Sequence, residues 1–495
     1  AHDLLEDWAL DRYIEKIYQQ YSGNIQDFLN AIGNEPAINR AFRLWLHQKL
    51  RYGDNVDDFV LAVLNDRDIQ RYWQDETIAA ILQGDNQSEF LNLLKNKLFV
   101  EDGELLKRFC FILRLVCQMP DLKLIPKLKE NDEINLVDSL YLKPYGKAWE
   151  TIICFLFENI NSLSNGLTPH ITAVLNNWSS LLNLNEDLPV PAREVGLLSL
   201  HLLTPLKESY RDDGNRKKLL SIIIKIIPAI HQEFTELLET DILVYRSESH
   251  RMSYVKEFCK MSLEGVESAF FSKYAPNQLM KLAYFEWFEE TVRDRDNGVY
   301  RRTSPGALDK DRHFGLKNDG NMFFPASGAK GLFNHLLRFH PQKGLKFILE
   351  LLNKTVEIFT HPDLYLPGSY SSRAQELSES VFEPLTIQLN NGRKVYQYYS
   401  GDFWSAYRGF SNIPYLLQCA LMALENSLIA HVESCEPGQL EWLFDYILRN
   451  SNSVMPTAIL ASIATGFPEK VGKSALPLLR THELYHMDLA RTIHE

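Results

Sequence analysis

His482-Glu483-Leu484-Tyr485-His486 sets two imidazoles four residues apart with a carboxylate beside the first. On a helix that spacing turns both rings to one face, where they can bind zinc while Glu483 serves as general base. A zinc-dependent hydrolase is therefore one reading of the chain. The surrounding residues do not extend the match: Leu489 and Thr492 stand where the longer metzincin pattern has Gly and His. No strand beside the motif offers a substrate peptide a partner. The plainer reading, a helix with two exposed histidines and no metal, is preferred.

Other patterns carry less. Gly472-Lys473-Ser474 has the end of a phosphate loop, but Gly466 and Gly472 enclose five residues instead of four, Pro468 lies between them, and no strand precedes. It reads as an interhelical loop. His335 and His340 are five apart and turn to different helix faces, so they do not share a metal. The six cysteines, at 110, 117, 154, 259, 419 and 435, form neither a C-x-x-C pair nor a regular framework. Cys110 and Cys117, seven apart on an apolar stretch, read as small hydrophobes on one face, and all six as reduced thiols without a distinguishing neighbourhood. No nucleophile dyad is proposed. Catalytic residues are expected to be absent from this segment.

Recognition is better supplied. Trp404, Tyr407 and Arg408 follow a hairpin signal, and Trp, Tyr and Arg dominate interface hot spots. They form the candidate partner-binding patch, with the hairpin edge available for an added strand. The alternative is an aromatic cluster that packs the hairpin onto helices.

The elements that would position these residues are mostly helical. Leu4, Leu5, Trp8, Tyr13, Ile14 and Ile17 recur at three- and four-residue steps, as do Phe42, Trp45, Leu46 and Leu50, with Gly-Asn and Gly-Asp turns between. Residues 194–206 and 218–238 read as a helical hairpin about Asp212-Asp213-Gly214-Asn215. Stacked helix pairs bury a shared face that one pair could not cover. No strict repeat period is visible, so the expected fold is mainly α, an irregular α-solenoid with one small β-hairpin near 383–399. That hairpin is marked by Asn391-Gly392 between alternating runs. A polar stretch at 291–330 precedes a helix read from Gly331 through Phe359. The expected divisions are 1–100, 101–290, 291–410 and 411–495.

At 495 residues the chain exceeds one ordinary core, and 45% hydrophobic with 23% charged residues is a globular balance. A net charge of −12 argues against a broad nucleic-acid-binding face. Arg301, Arg302, Lys310 and Arg312 form the one local basic cluster of note, read as solvated surface. The most apolar run, Leu219 to Ile230, is interrupted by Ser221, Lys225 and Pro228 and is too short to span a bilayer. The opening residues have no signal-peptide pattern, and both ends read as cut through helices. A cytoplasmic segment of a larger protein is expected, without a membrane span.

Two groups of segments carry a family resemblance. His2-Asp3-Leu4-Leu5-Glu6-Asp7-Trp8-Ala9 is similar to the His-Asp sensor segment of STAND NTPases, the signalling ATPases that include NLR receptors. Arg40-Ala41-Phe42-Arg43-Leu44-Trp45-Leu46 and Tyr72-Trp73-Gln74-Asp75-Glu76 resemble segments that follow it in large bacterial members. Phe403 to Gly409, Leu421 to Glu425, Ser451 to Val454 and Phe467-Pro468-Glu469 look like the distal half of Avs-type antiviral members. The resemblance implies a parent ATPase that binds ATP or ADP with Mg in an upstream core. It implies a protein ligand, such as a phage protein, sensed by helical repeats, and homo-oligomerisation on activation. By the same match His2 would contact the nucleotide's β-phosphate, with Asp3 its neighbour, while this segment holds no nucleotide alone.

Overall fold

The computed structural model describes residues 2–21, 23–52, 56–121, 142–207, 213–244, 253–288, 310–317, 322–361, 384–409 and 411–494. The chain is mainly α, as its periodicity predicts, and it divides into two compact units. One comprises Ala1–Phe234 with Met252–Tyr254; the other comprises Thr235–Arg251 with Val255–Glu495. The polar composition that suggested the boundary near 291 belongs to a stretch mostly outside the described residues.

The first unit is a stack of helix pairs in two rows. Helices His2–Gln20, Pro36–Tyr52, Arg71–Gln83, Glu104–Val116, Thr168–Trp178 and Asp213–Lys225 each pack on the next in that order. A second row includes Ile25–Ile32, Asp57–Asn65, Gln87–Leu93, Ala148–Glu158 and Ala192–Leu203. The first four helices of the first row begin at residues 2, 36, 71 and 104, steps of 34, 35 and 33. A repeat is therefore present where none was read from the sequence. Residue identities differ between copies; what recurs is a buried face and a joint.

The buried face is aromatic. Tyr18, Phe28, Phe42, Trp45, Phe59 and Trp73 meet ring to ring, with Phe42 and Trp73 centroids 4.8 Å apart at 67°. Edge-to-face packing of this kind adds to area burial because ring edges and faces carry opposite partial charge. Trp45 is buried at the centre of these rings, and its indole N–H donates to Glu15 Oε2 at 2.8 Å. Burial works to raise the Glu15 carboxyl, but bonds from Trp45, Lys49 and Gln19 outweigh it and hold the group below its usual range.

The joint is ionic. Arg40 pairs with Asp7, Arg43 with Glu76 at 2.6 Å, and Arg108 with Asp75, each pair linking one first-row helix to its neighbour. Arg67 pairs likewise with Glu101, and Lys97 Nζ donates to the Leu64 carbonyl at 3.1 Å. After Glu104–Val116, strands Gln118–Pro120 and Leu142–Pro144 pair antiparallel, a small sheet the sequence did not announce. The helical hairpin read at 194–206 and 218–238 is Ala192–Leu203 against Asp213–Lys225. Pro228 closes the second helix into a 3-10 turn at Ile227–Ile230 before His231–Leu237, because proline offers no N–H to the ladder.

In the second unit the helix read from Gly331 through Phe359 is two, Phe333–Phe339 and Pro341–Thr360. His340, before Pro341, leaves the helical region at φ −139°, ψ 69°, as steric clash with a following proline ring requires. Tyr415–Ser434 is long and apolar enough to cross a membrane, but over half of it is buried. It packs against Phe333–Phe339, Pro341–Thr360 and Val454–Gly466 as a core helix.

The hairpin forms where Asn391-Gly392 places it. Leu385–Gln388 pairs antiparallel with Lys394–Gln397. Leu389 N–H donates to the Arg393 carbonyl, leaving a three-residue loop whose Gly392 takes φ +84°. That left-handed position is nearly free of cost only for glycine. Leu385, Ile387, Val395 and Gln397 face inward. Tyr398 then bridges to Ser453 in parallel sense, through Tyr398 N–H to the Asn452 carbonyl and Val454 N–H to the Tyr398 carbonyl. The chain itself thus occupies the edge at Tyr398.

Candidate functional site

The residues singled out in the sequence separate in the structure. His2 and Asp3 begin the first helix, but their side chains lie outside the described residues. Arg301 and Arg302 of the basic cluster do too.

Trp404 and Tyr407 are each only 2% exposed, and the Trp404 indole N–H donates to Asp488 Oδ1 at 3.3 Å. They pack helix Gly401–Ser405 and the following turn into the unit, so the folded chain offers neither ring to a partner. Arg408 alone stays at the surface. It stacks over Tyr407 at 4.6 Å and lies 3.8 Å from Glu425. The packing alternative accounts for the aromatic pair: a short helix after a hairpin gains its stability from the large rings it buries.

His482 and His486 lie on helix His482–His494 with ring centroids 6.3 Å apart, the His482 side chain well exposed and 3.3 Å from Glu483. Leu484 and Met487 supply the buried side of this turn. Among the described residues no set of three His, Cys, Asp or Glu is placed to hold a metal ion. Gly472–Ala475 is a 3-10 turn between short helices, as read, and the Lys473 carbonyl accepts from Asn390 Nδ2 at 3.1 Å. His340 bonds the Lys273 carbonyl at 2.9 Å, whereas half-buried His335 is held below its usual range by burial and then by Arg338. The two share no site.

Sequence reading missed the groove that the hairpin builds. A cavity of about 760 Å³ opens in the second unit between the hairpin tip, the end of helix Tyr415–Ser434, helix Glu441–Arg449 and the turn carrying Ser474 and Pro477. Leu389, Phe444, Leu448 and Pro477 give it apolar walls. Trp442, 59% exposed, stands at its edge. Asp445 and Arg449 pair across one helical turn at 2.8 Å.

Within this groove Cys435 Sγ lies 3.3 Å from His431 Nε2. The two are four residues apart across the end of the helix, so one helical turn sets the contact. Lys470 places its ammonium on the same end, donating to the Val432 carbonyl at 3.0 Å and the Glu433 carbonyl at 2.6 Å. A thiol with a base in contact and a cation nearby is an arrangement for nucleophilic chemistry at sulfur. The expectation that all six cysteines lack a distinguishing neighbourhood is therefore corrected at Cys435. The spacing His431-x-x-x-Cys435 was the available signal.

A second feature lies in the first unit. Trp8, Leu44, Phe111 and Leu115 are exposed on first-row helices, next to or within two turns of Asp7, Arg43 and Arg108. Arg12 covers the Trp8 ring at 4.2 Å. No protein-family model and no curated protein matches the chain.

Proposed function

We propose that this chain is the partner-sensing helical region of a nucleotide-switched assembly of the STAND type, acting in antiphage defence. The observation that carries the binding role is the first unit's row of repeated helices. It joins neighbours through ion pairs while leaving Trp8, Leu44, Phe111 and Leu115 in solvent. Stacked helix pairs make an extended surface, and a partner that fits one arrangement of the stack better than another shifts the balance between them.

The nucleotide role rests on the resemblance of His2 to Ala9 and the segments after it to STAND members. In this reading ATP or ADP with Mg sits in an upstream core, and His2 reports its state. A histidine suits that task because a protonated imidazole donates a charge-assisted bond to phosphate. The segment is non-catalytic, and the activated form is a homo-oligomer.

The test uses the full-length polypeptide. ADP binding and sedimentation are measured for the native protein and for His2→Ala. The expected result is tight ADP binding by the native protein, with His2→Ala weakening it and moving the population toward larger assemblies. A full-length protein that binds neither ADP nor ATP overturns the nucleotide role. It leaves the plain helical scaffold and the zinc-dependent hydrolase as the readings to decide between.

A further inference from the structure

We propose that Cys435 and His431 form a reactive thiol–imidazole pair that exchanges with disulfides entering the groove beside the hairpin. The groove around the pair is built from four separate segments, which distinguishes it from a cysteine that happens to lie at a surface.

Access and an imidazole contact coincide at Cys435 and at no other described cysteine. Cys110, Cys117, Cys259 and Cys419 are buried. Burial pushes the thiols of Cys110 and Cys117 up to about 12. Cys154 is part-exposed, but burial and then Glu194, Glu150 and Glu158 raise its thiol. Cys435 is also part-exposed, lines the cavity and touches an imidazole.

Charged groups surround the pair. His431 stands in the last turn of Tyr415–Ser434, among the helix's final carbonyls. Glu433, Glu436, Glu441 and Asp445 lie close by in the chain or on the groove wall. Lys470 covers two of those carbonyls with its ammonium, and Arg449 neutralises Asp445.

The exchange balances without another reagent. His431 Nε2 accepts the Cys435 proton, and Sγ attacks one sulfur of the incoming disulfide. A new S–S bond forms as the old one breaks, and the departing thiolate takes the proton from the imidazolium. The products are a mixed disulfide at Cys435 and one free thiol. The apolar walls and Trp442 favour disulfides bearing aromatic or aliphatic groups over strongly anionic ones.

The experiment follows the native chain with an aromatic disulfide that releases a coloured thiolate, under conditions where the full count of six thiols is reached only after unfolding. One thiol is expected to react in a fast phase, and Cys435→Ser removes that phase. His431→Gln slows it by at least about threefold. Each tenfold loss of thiolate is partly offset by the greater nucleophilicity of the more basic sulfur. Lys470→Met, which leaves the His431 contact in place, slows it less. A fast phase that survives Cys435→Ser, or a rate unchanged by His431→Gln in a variant with native circular dichroism, overturns the proposal.

Discussion

Gln397 ties the hairpin to the helices beneath it, and the strength of that tie can be worked out from its bonds. Its side chain is fully buried, at 0% exposure. Nε2 donates to the Leu448 carbonyl at 3.2 Å, and Oε1 accepts from Thr457 Oγ1 at 2.6 Å. Leu448 lies in the last turn of Glu441–Arg449, so its carbonyl has no partner within the helix. Gln397→Leu keeps most of the volume and strands both groups. A buried polar group left without a partner costs about 1–3 kcal/mol, so the loss for the two is about 2–6 kcal/mol. The low end is favoured because the Thr457 hydroxyl can rotate to a carbonyl one turn back. Thr457→Val strands only the Gln397 oxygen and costs about 1–3 kcal/mol. With both changes no acceptor faces a missing donor at that contact, so the double variant should cost at least about 1 kcal/mol less than the sum. A chain with two compact units does not yield one unfolding free energy, so hydrogen exchange over 385–397 and 454–466 is the appropriate measure. Additivity within about 0.5 kcal/mol would refute the coupling. Unchanged protection in Gln397→Leu would refute the tie itself.

Three further outcomes follow from the same structure. Trp404→Ala should destabilise its unit by about 3–5 kcal/mol, whereas Arg408→Ala should change it by less than about 1 kcal/mol. Exchange protection of 401–408 distinguishes the two, and a neutral Trp404→Ala would return the ring to the surface. Asp75→Lys should lower the first unit's urea midpoint and Asp75→Lys with Arg108→Glu should restore most of it, a coupling of about 0.5–1 kcal/mol for a part-exposed pair. A double variant no better than the single would rule out the pair. His335 is depressed below its ordinary 6.5, so the unfolded chain gains a proton there before the folded form does. Its stability contribution is present above pH 6.5 and lost as pH falls toward the lower folded value. Thermal melts should therefore show a smaller acid loss for His335→Gln than for the native chain, and equal losses would contradict the assignment.

What the sequence made legible was whatever local chemistry decides. Phe42, Trp45 and Leu46 announce a helix because their spacing matches one face, and that face is buried. Asn391-Gly392 announces a reversal because few other pairs accept a positive φ so readily, and Gly392 has it. Trp404 and Tyr407 show where local reading stops. Their types suit a contact surface and a core equally well, and only the helices folded around them decide for the core. The repeat was hidden for a related reason. Arg43 and Glu76 are equivalent as partners but opposite in charge, so a search for similar residues passes over them. The groove was hidden because its walls come from segments more than 80 residues apart, from Leu389 to Pro477. Only the turn joining His431 to Cys435 was local, and it was readable.

The ion pairs between first-row helices have a consequence for alignment. Asp7 lies on the first helix, Arg40 and Arg43 on the second, Asp75 and Glu76 on the third and Arg108 on the fourth. The sign alternates, so the array carries a parity. Slippage by one helix pair would set Arg43 against Arg108, or Asp7 against Asp75, and like charges at a helix joint repel. Slippage by two pairs would bring Asp7 to Arg108 and meet no such penalty. Similar aromatic faces could let neighbouring copies exchange places during folding; the alternating joints make the nearest such error the unfavourable one.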